Sequence, residues 1–317
     1  MHIVITGANG FVGKALASRI LSQGDILSGM PIDSLTLVDI GFDAIAADPR
    51  VRIVNGSIGE PAVLREAFSR PVDCVFHLAS IPGGAAEANY ELGLRINLTA
   101  TLDMLELLRA QQKPARFVFS SSIAVYGAPL PGLVDDTTPM RPALSYGAHK
   151  LVDEILIKDY SRRGWLDGRI LRLPGVVARP PAPSGLLSAY MSDIFWRLAE
   201  GKPFTCQVSE QAVSWWMSVT CCVDNLLHAA ALSAEQAAAR RDYTLPVLRL
   251  TMAELVHGLA EEFGDDRRAL VRYEPDAKLE AGFGNYPPLD ASAAEATGFR
   301  HDGSVRTLIR NAMTQAR

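Results

Sequence analysis

The sequence predicts an α/β fold: a doubly wound parallel sheet of Rossmann type, with a smaller C-terminal α/β lobe for the substrate. Three observations carry that expectation. Short, apolar, β-branched runs alternate with helical periods through the first half of the chain. That alternation suits a parallel sheet covered on both faces. The first run opens into a glycine-rich turn, Gly7-Ala8-Asn9-Gly10-Phe11-Val12-Gly13, from which a helix starts. The chain has 317 residues, enough for two units at roughly 150 residues each.

Strands are expected at 2–6, 35–39, 51–54, 74–77, 116–120 and 168–173, where the β-branched runs fall. Helices are expected at 11–23, 87–111 and 146–163, from apolar residues at helical spacing. Pro174, Pro180, Pro181, Pro183 and Gly185 then crowd one stretch, which marks a loop and a lobe boundary. Residues 1–173 are therefore expected to form the cofactor body. Residues 174–317 are expected to form the substrate lobe, with helices at 186–200, 223–233 and 252–263 and some segments returning to the body. Pro287-Pro288 marks a further loop.

Composition narrows the class. Lys and Arg number 31 against 35 Asp and Glu, a net charge of −4. Nucleic acid or an anionic membrane as the main partner would favour a basic face, so neither is expected. No run of about 18 apolar residues appears, and the N-terminus does not read as a secretory signal. The cysteines are Cys74, Cys206, Cys221 and Cys222, without C-x-x-C spacing, and the histidines form no H-E-x-x-H. No metal site is expected, and the cysteines read as small buried hydrophobes in a reducing cytoplasm.

The glycine turn has the form G-x-x-G-x-x-G. Gly7 permits the tight turn, Gly10 lets backbone approach a pyrophosphate, and Gly13 lets the helix pack close to the sheet. The helix N-terminus adds free N–H groups and a positive dipole end. Asp39 closes the second strand, where a carboxylate accepts from the adenosine ribose and repels a 2′-phosphate. NAD is therefore expected in preference to NADP.

Ser120-Ser121-Ser122 closes the fifth strand, and Tyr146 and Lys150 follow on the next helix. Four residues apart, the pair shares one helix face. Tyrosine alone, with a pKa near 10, is a poor base at neutral pH. A neighbouring ammonium favours the phenolate. Alone the pair would read as a surface contact; after a phosphate turn and a serine-rich strand end it reads as a proton-transfer site.

These marks, together with His77-Leu78-Ala79-Ser80 and Asn97, resemble the extended short-chain dehydrogenase/reductase superfamily over nearly the whole chain. The resemblance implies that Tyr146 is the acid/base. Lys150 lowers its pKa and binds the nicotinamide ribose, Ser122 holds the substrate oxygen, and Asn97 fixes the central helix and a relay water. It implies cofactor contacts at Gly7, Asn9, Gly10, Phe11, Val12, Gly13, Asp39, Ser57, Ile58, Leu78, Ala79, Ser80, Asn97, Tyr146, Lys150 and Pro174. His77 is structural by the same resemblance. It also implies a homodimer through the helices at 87–111 and 146–163.

The departures point to a substrate. Ser122 is followed by Ile123-Ala124, without the carboxylate of the superfamily's dehydratases. Its nucleotide-sugar epimerases carry an asparagine where Gly175 stands and an arginine where Ser214 stands. Both grip the nucleotide diphosphate, so a small substrate without a nucleotide is expected. Asn55-Gly56-Ser57-Ile58 replaces the usual Gly-Asp at the adenine, leaving Ser57 to accept that bond. Residues 80–87, 93–97, 173–180 and 215–218 look like the D-erythronate dehydrogenases of the superfamily. These oxidise the 2-hydroxyl of a four-carbon sugar acid with NAD. A guanidinium suits a carboxylate, so Arg179 and Ser80 are the expected substrate contacts, with Ser122 and Tyr146. Trp215 and Trp216 are expected in the core. The alternatives are an epimerase that retains NAD and a catalytically silent NAD sensor.

Overall fold

The computed structural model describes residues 1–23, 31–43, 47–181 and 187–314. Pro183, Gly185 and Leu186 of the expected boundary loop and helix lie outside the described residues. In chain order the first elements are β1 (His2–Thr6), α1 (Phe11–Gln23), β2 (Ser34–Asp39), β3 (Val51–Asn55), α2 (Pro61–Ala67) and β4 (Cys74–His77). Then come α3 (Gly83–Ala88), α4 (Tyr90–Leu94), one π-helical turn (Arg95–Thr99), α5 (Ala100–Arg109) and β5 (Arg116–Ser122). A 3-10 turn (Ile123–Tyr126) leads to α6 (Ser145–Arg162) and β6 (Asp167–Leu173).

The later elements are β7 (Gly175–Val177), α7 (Tyr190–Ala199), β8 (Phe204–Cys206), β9 (Val213–Ser218), α8 (Val219–Ala231) and α9 (Ala234–Ala239). After them come β10 (Asp242–Thr244), β11 (Leu248–Thr251), α10 (Met252–Phe263), β12 (Val271–Tyr273), α11 (Ala277–Phe283), α12 (Ser292–Ala296) and α13 (Val305–Ala312).

The chain folds as two compact units. The first comprises Met1–Val125, Pro142–Arg172 and Val223–Tyr243; the second comprises Tyr126–Arg141, Leu173–Cys222 and Thr244–Arg317. A seven-stranded sheet runs β10-β6-β5-β4-β1-β2-β3. The pairings of β3, β2, β1, β4 and β5 are parallel, with Ile3 opposite both Leu35 and Cys74. The order reverses beside β1, which places the ligand crevice at the carboxyl ends of β1 and β4. β1 and β4 are buried along their whole length, as strands covered on both faces must be. Under them Val4, Val75, Phe117, Met104, Leu105 and Ile157 form the core of this unit.

The second unit holds a three-stranded sheet, β11-β9-β7, and a two-stranded pair, β12-β8. Its core gathers Phe195, Trp216, Leu255, Leu259, Leu308 and Ile309 around β9, α7, α10 and α13. α10 starts on a capping box: Thr251 accepts from the Glu254 amide while Glu254 accepts from the Thr251 amide. Among the described residues no helix is long and apolar enough to cross a membrane.

The single helix expected over 87–111 is not one helix. Asn89 leaves the helical region at φ −139° and caps α4, its side chain accepting from the Leu92 amide. The π turn follows before α5. A further strand, β10, enters the main sheet from late in the chain.

Candidate active site

The glycine turn joins β1 to α1 and is shaped by the absence of side chains. Gly7 has φ +71°, and a methyl group there would lie 2.7 Å from the Ala79 amide nitrogen. A methyl on Gly13 would lie 2.1 Å from the Gly7 carbonyl oxygen, and one on Gly10 3.1 Å from the same oxygen. β1, the turn, α1 and the Leu78-Ala79 segment after β4 can approach this closely only with glycine at 7 and 13. The turn therefore has the tight strand-to-helix geometry that a pyrophosphate cradle requires, and a Cβ at 7 or 13 would strike neighbouring backbone.

Asp39, at the end of β2, accepts from the Asn9 amide at 2.8 Å through Oδ2 and from the Ile40 amide at 2.7 Å through Oδ1. The carboxylate thus ties the strand end to the turn. Ser57, after β3, accepts from the Gly59 amide at 3.1 Å, and Ile58 beside it is buried. Phe11 and Val12 open α1. After β4, the Leu78 amide donates to the Thr6 carbonyl at 3.2 Å, and Ala79 and Ser80 follow half-buried.

Ser122 ends β5 and accepts from the Ala124 amide at 3.1 Å. Tyr146 lies in the first turn of α6, half-buried. Gly147 lets that turn meet the 3-10 segment, since a methyl there would lie 2.5 Å from the Ala124 carbonyl oxygen. This close approach brings the start of α6, which carries Tyr146, against the 3-10 segment that follows Ser122. Gly147 is a site-shaping residue that the sequence reading missed.

Lys150, one turn further, is 1% exposed. Its ammonium lies 4.4 Å from the centre of the Phe119 ring and 5.7 Å from that of Tyr146. Burial lowers its pKa to about 8, while Asp153 and Glu154 act to raise it. Asn97, on the π turn, pairs fully with the backbone of Ile81: Oδ1 accepts from the amide at 2.7 Å and Nδ2 donates to the carbonyl at 3.0 Å. Its side chain thereby fastens the loop after β4 to the central helix.

A second layer lies beneath. His77 bonds Thr6 Oγ1 at 2.6 Å through Nδ1 and Thr101 Oγ1 at 3.0 Å through Nε2. Burial, with the Lys150 ammonium, holds its pKa well below the ordinary imidazole value. Glu154, fully buried, accepts from Ser121 at 2.5 Å and from Arg172 at 3.0 and 2.6 Å. Arg172 also reaches Asp242 at 2.6 Å, and Lys158 meets Asp242 at 3.0 Å. Breaking such a pair leaves an uncompensated buried charge, which costs about 3–5 kcal/mol.

Other expected contacts lie in the second unit. Pro174 is buried and Arg179 half-buried, its carbonyl accepting from the Trp196 indole at 2.8 Å. Gly175 is hemmed in: a methyl there would lie 2.7 Å from Met191 Cε and 3.1 Å from the Trp215 carbonyl oxygen. Ser214 is 1% exposed and donates to the Phe283 carbonyl. Trp215 and Trp216 are fully buried, and the Trp215 indole donates to the Pro287 carbonyl at 2.8 Å.

The four cysteines are buried thiols outside any disulfide. Among the described residues no group of three or more His, Cys, Asp or Glu side chains is placed to hold a metal ion.

A Rossmann sheet in the order 3-2-1-4-5-6, a glycine cradle at its switch point and a buried lysine beside a tyrosine define a class: nucleotide-cofactor oxidoreductases. The profile of the NAD dependent epimerase/dehydratase family matches residues 3–243, and the chain belongs to that family. It is an NAD-dependent oxidoreductase. The D-erythronate dehydrogenase of Cupriavidus necator is 38% identical to it, covering 100% of this chain and 99% of that protein. The D-erythronate dehydrogenase of Haemophilus influenzae is 34% identical, covering 98% of each. A solved structure described as a nucleoside-diphosphate-sugar epimerase from Agrobacterium tumefaciens superposes with a TM-score of 0.91 at 33% identity. That match covers 99% of this chain and 94% of the other.

Proposed function

We propose that the protein oxidises the 2-hydroxyl of a small sugar acid, D-erythronate before others, to the 2-dehydro acid. The observation that carries the reaction type is the buried Lys150 ammonium beside the Tyr146 ring. An ammonium there favours the phenolate, and Tyr146 takes the proton of the substrate hydroxyl as the general base. Ser122 orients that hydroxyl from the end of β5. Bound NAD supplies the acceptor for the hydride that leaves carbon 2. The glycine cradle, Asp39 and the Ser57-Ile58 and Leu78-Ala79-Ser80 segments hold the cofactor. Lys150 would hold its nicotinamide ribose. Asn97 acts by fixing the loop at Ile81.

The substrate assignment draws on the two D-erythronate dehydrogenases, aligned over their full lengths. It also draws on Gly175, which has no side chain to offer, and Ser214, turned inward. Neither position offers an anchor to a nucleotide diphosphate. A sugar acid presents a carboxylate, for which Arg179 and Ser80 are the proposed partners. The first unit serves as the cofactor body, and the second selects the substrate.

The test is a panel of sugar acids with NAD, followed by NADH absorbance, with Tyr146→Phe alongside. Turnover on D-erythronate, and a loss of about a thousand-fold or more in the variant with NAD binding kept, are expected. Turnover only on nucleotide sugars defeats the substrate assignment, and full activity of the variant defeats the base. A second reading, an epimerase that retains NAD, is favoured by the description of the Agrobacterium structure. It requires protein purified with stoichiometric NAD and needing none added.

We also propose a homodimer in the cytoplasm. Tyr90, Leu92, Leu102, Val152 and Ile155, on α4, α5 and α6, are exposed at 56, 44, 37, 40 and 59%, more apolar surface than a free helix pair leaves to water. Light scattering should give twice the chain mass; a monomer at micromolar concentration refutes the pairing.

A further inference from the structure

The charges beneath Tyr146 do not cancel unless one more residue takes part. Glu154 and Asp242 are matched by Arg172 and Lys158, two anions against two cations. That leaves the Lys150 ammonium without a counter-charge of its own. Asp153 lies three residues on along α6, on the same face, and its carboxyl is 0% exposed. Its Oδ2 accepts from Thr101 at 3.3 Å. Its Oδ1 is buried without a hydrogen-bond partner. A buried carboxyl with one oxygen orphaned is costly unless a cation stands near it.

A run of hydrogen bonds leads to Asp153. The Ala79 amide donates to Thr6 Oγ1 at 3.3 Å. Thr6 Oγ1 bonds His77 Nδ1, and His77 Nε2 bonds Thr101 Oγ1. The Thr101 hydroxyl sits between the Asn97 carbonyl at 3.2 Å and Asp153 Oδ2 at 3.3 Å. The chain begins at Ala79, where the segment after β4 packs on Gly7, and ends beside Lys150.

We propose that Asp153 is a positioning residue for the reaction: it is the counter-charge that keeps Lys150 protonated beside Tyr146, held in place by the Thr6–His77–Thr101 chain. This rests on the assignment of Tyr146 and Lys150 above. The groups facing Lys150 are Tyr146, Asp153 and Glu154 from α6, His77 from β4 and the uncharged Phe119 ring from β5. Glu154 is committed to Arg172 and His77 is neutral, which leaves Asp153 to balance the ammonium. Burial, the larger effect, holds the Asp153 carboxyl pKa well above its ordinary value, and the Lys150 ammonium draws it part of the way back, as groups sharing one dry site must behave.

The test is the pH profile of kcat/KM for the holoenzyme of Asp153→Asn, Asp153→Glu and Thr101→Val. Without the carboxylate, Lys150 gives up its proton more readily. The alkaline limb of Asp153→Asn should then move down by about one pH unit or more, with kcat reduced about ten-fold. Asp153→Glu should restore most of the limb. Thr101→Val, which keeps the carboxyl but removes its hydrogen-bond partner, should move the limb the same way by less, and it carries the test if Asp153→Asn does not fold. A profile in Asp153→Asn, or in Thr101→Val as its substitute, that overlays the parent's overturns the proposal, even if thermal stability falls. Tyr146→Phe separates the two claims. If it stays active, the base assignment fails; if it is inactive while the Asp153 profiles do not move, only the counter-charge fails.

Discussion

The turn at residues 7–13 and the helix at residues 145–162 both serve the cofactor side of the first unit, yet they are built on opposite principles. The turn works by what is missing. At Gly7 and Gly13 an added methyl meets backbone atoms at 2.7 and 2.1 Å, so the requirement is steric and nearly independent of charge. The helix works by what is present. Lys150, Asp153 and Glu154 are buried ionisable groups whose behaviour depends on their neighbours rather than on their shape. A steric requirement tolerates no substitution, whereas an electrostatic one is tuned by groups one layer away.

Two substitutions probe that contrast. Gly13→Ala forces the Gly7 carbonyl and α1 apart, and a backbone cannot give 1 Å cheaply. A stability loss of about 1–3 kcal/mol and at least a ten-fold weaker NADH affinity are expected, read by denaturant unfolding and by titration of NADH fluorescence. Gly10→Ala, at 3.1 Å, should cost clearly less. Equal losses at the two positions would break the steric account of the turn.

The smaller effect belongs to the electrostatic half. Burial holds the His77 pKa well below its ordinary value, while the unfolded chain takes up that proton near pH 6.5. The folded state binds fewer protons, so stability is full above about pH 6.5 and falls as the pH drops below it, by up to about 1.4 kcal/mol per pH unit. His77→Gln should flatten that acid-side slope in urea titrations. His2 and His149 are also lowered by burial and keep part of it. An unchanged slope would mean that His77 is protonated in the fold.

What could be read from the sequence follows the same divide. Glycine spacing after a strand is a geometric demand written directly in residue types, and the strand-helix alternation gave β1 to β6 with boundaries within two residues. Tyr146 and Lys150 were legible from their spacing. The burial of Lys150 was not, because His77 and Phe119 beside it come from β4 and β5, far from it in sequence. Asp153 had a signal in its spacing from Lys150, but nothing local says that both are dry. The break in the helix over 87–111 was hidden because the Asn89 cap and the Asn97–Ile81 pairing are specific side-chain bonds within an otherwise helical pattern. β10, only three residues long, is too short for any period to register.

Gly175 bears on how this chain could change its diet over evolutionary time. A first side-chain carbon there meets the tip of Met191 at 2.7 Å and the Trp215 carbonyl oxygen at 3.1 Å. The methionine tip can swing aside, while the backbone oxygen can give only a few tenths of an ångström. A lineage that gains a side chain at this position keeps its sheet and repacks around Met191, so the methionine is the hinge on which any change of diet at this position turns.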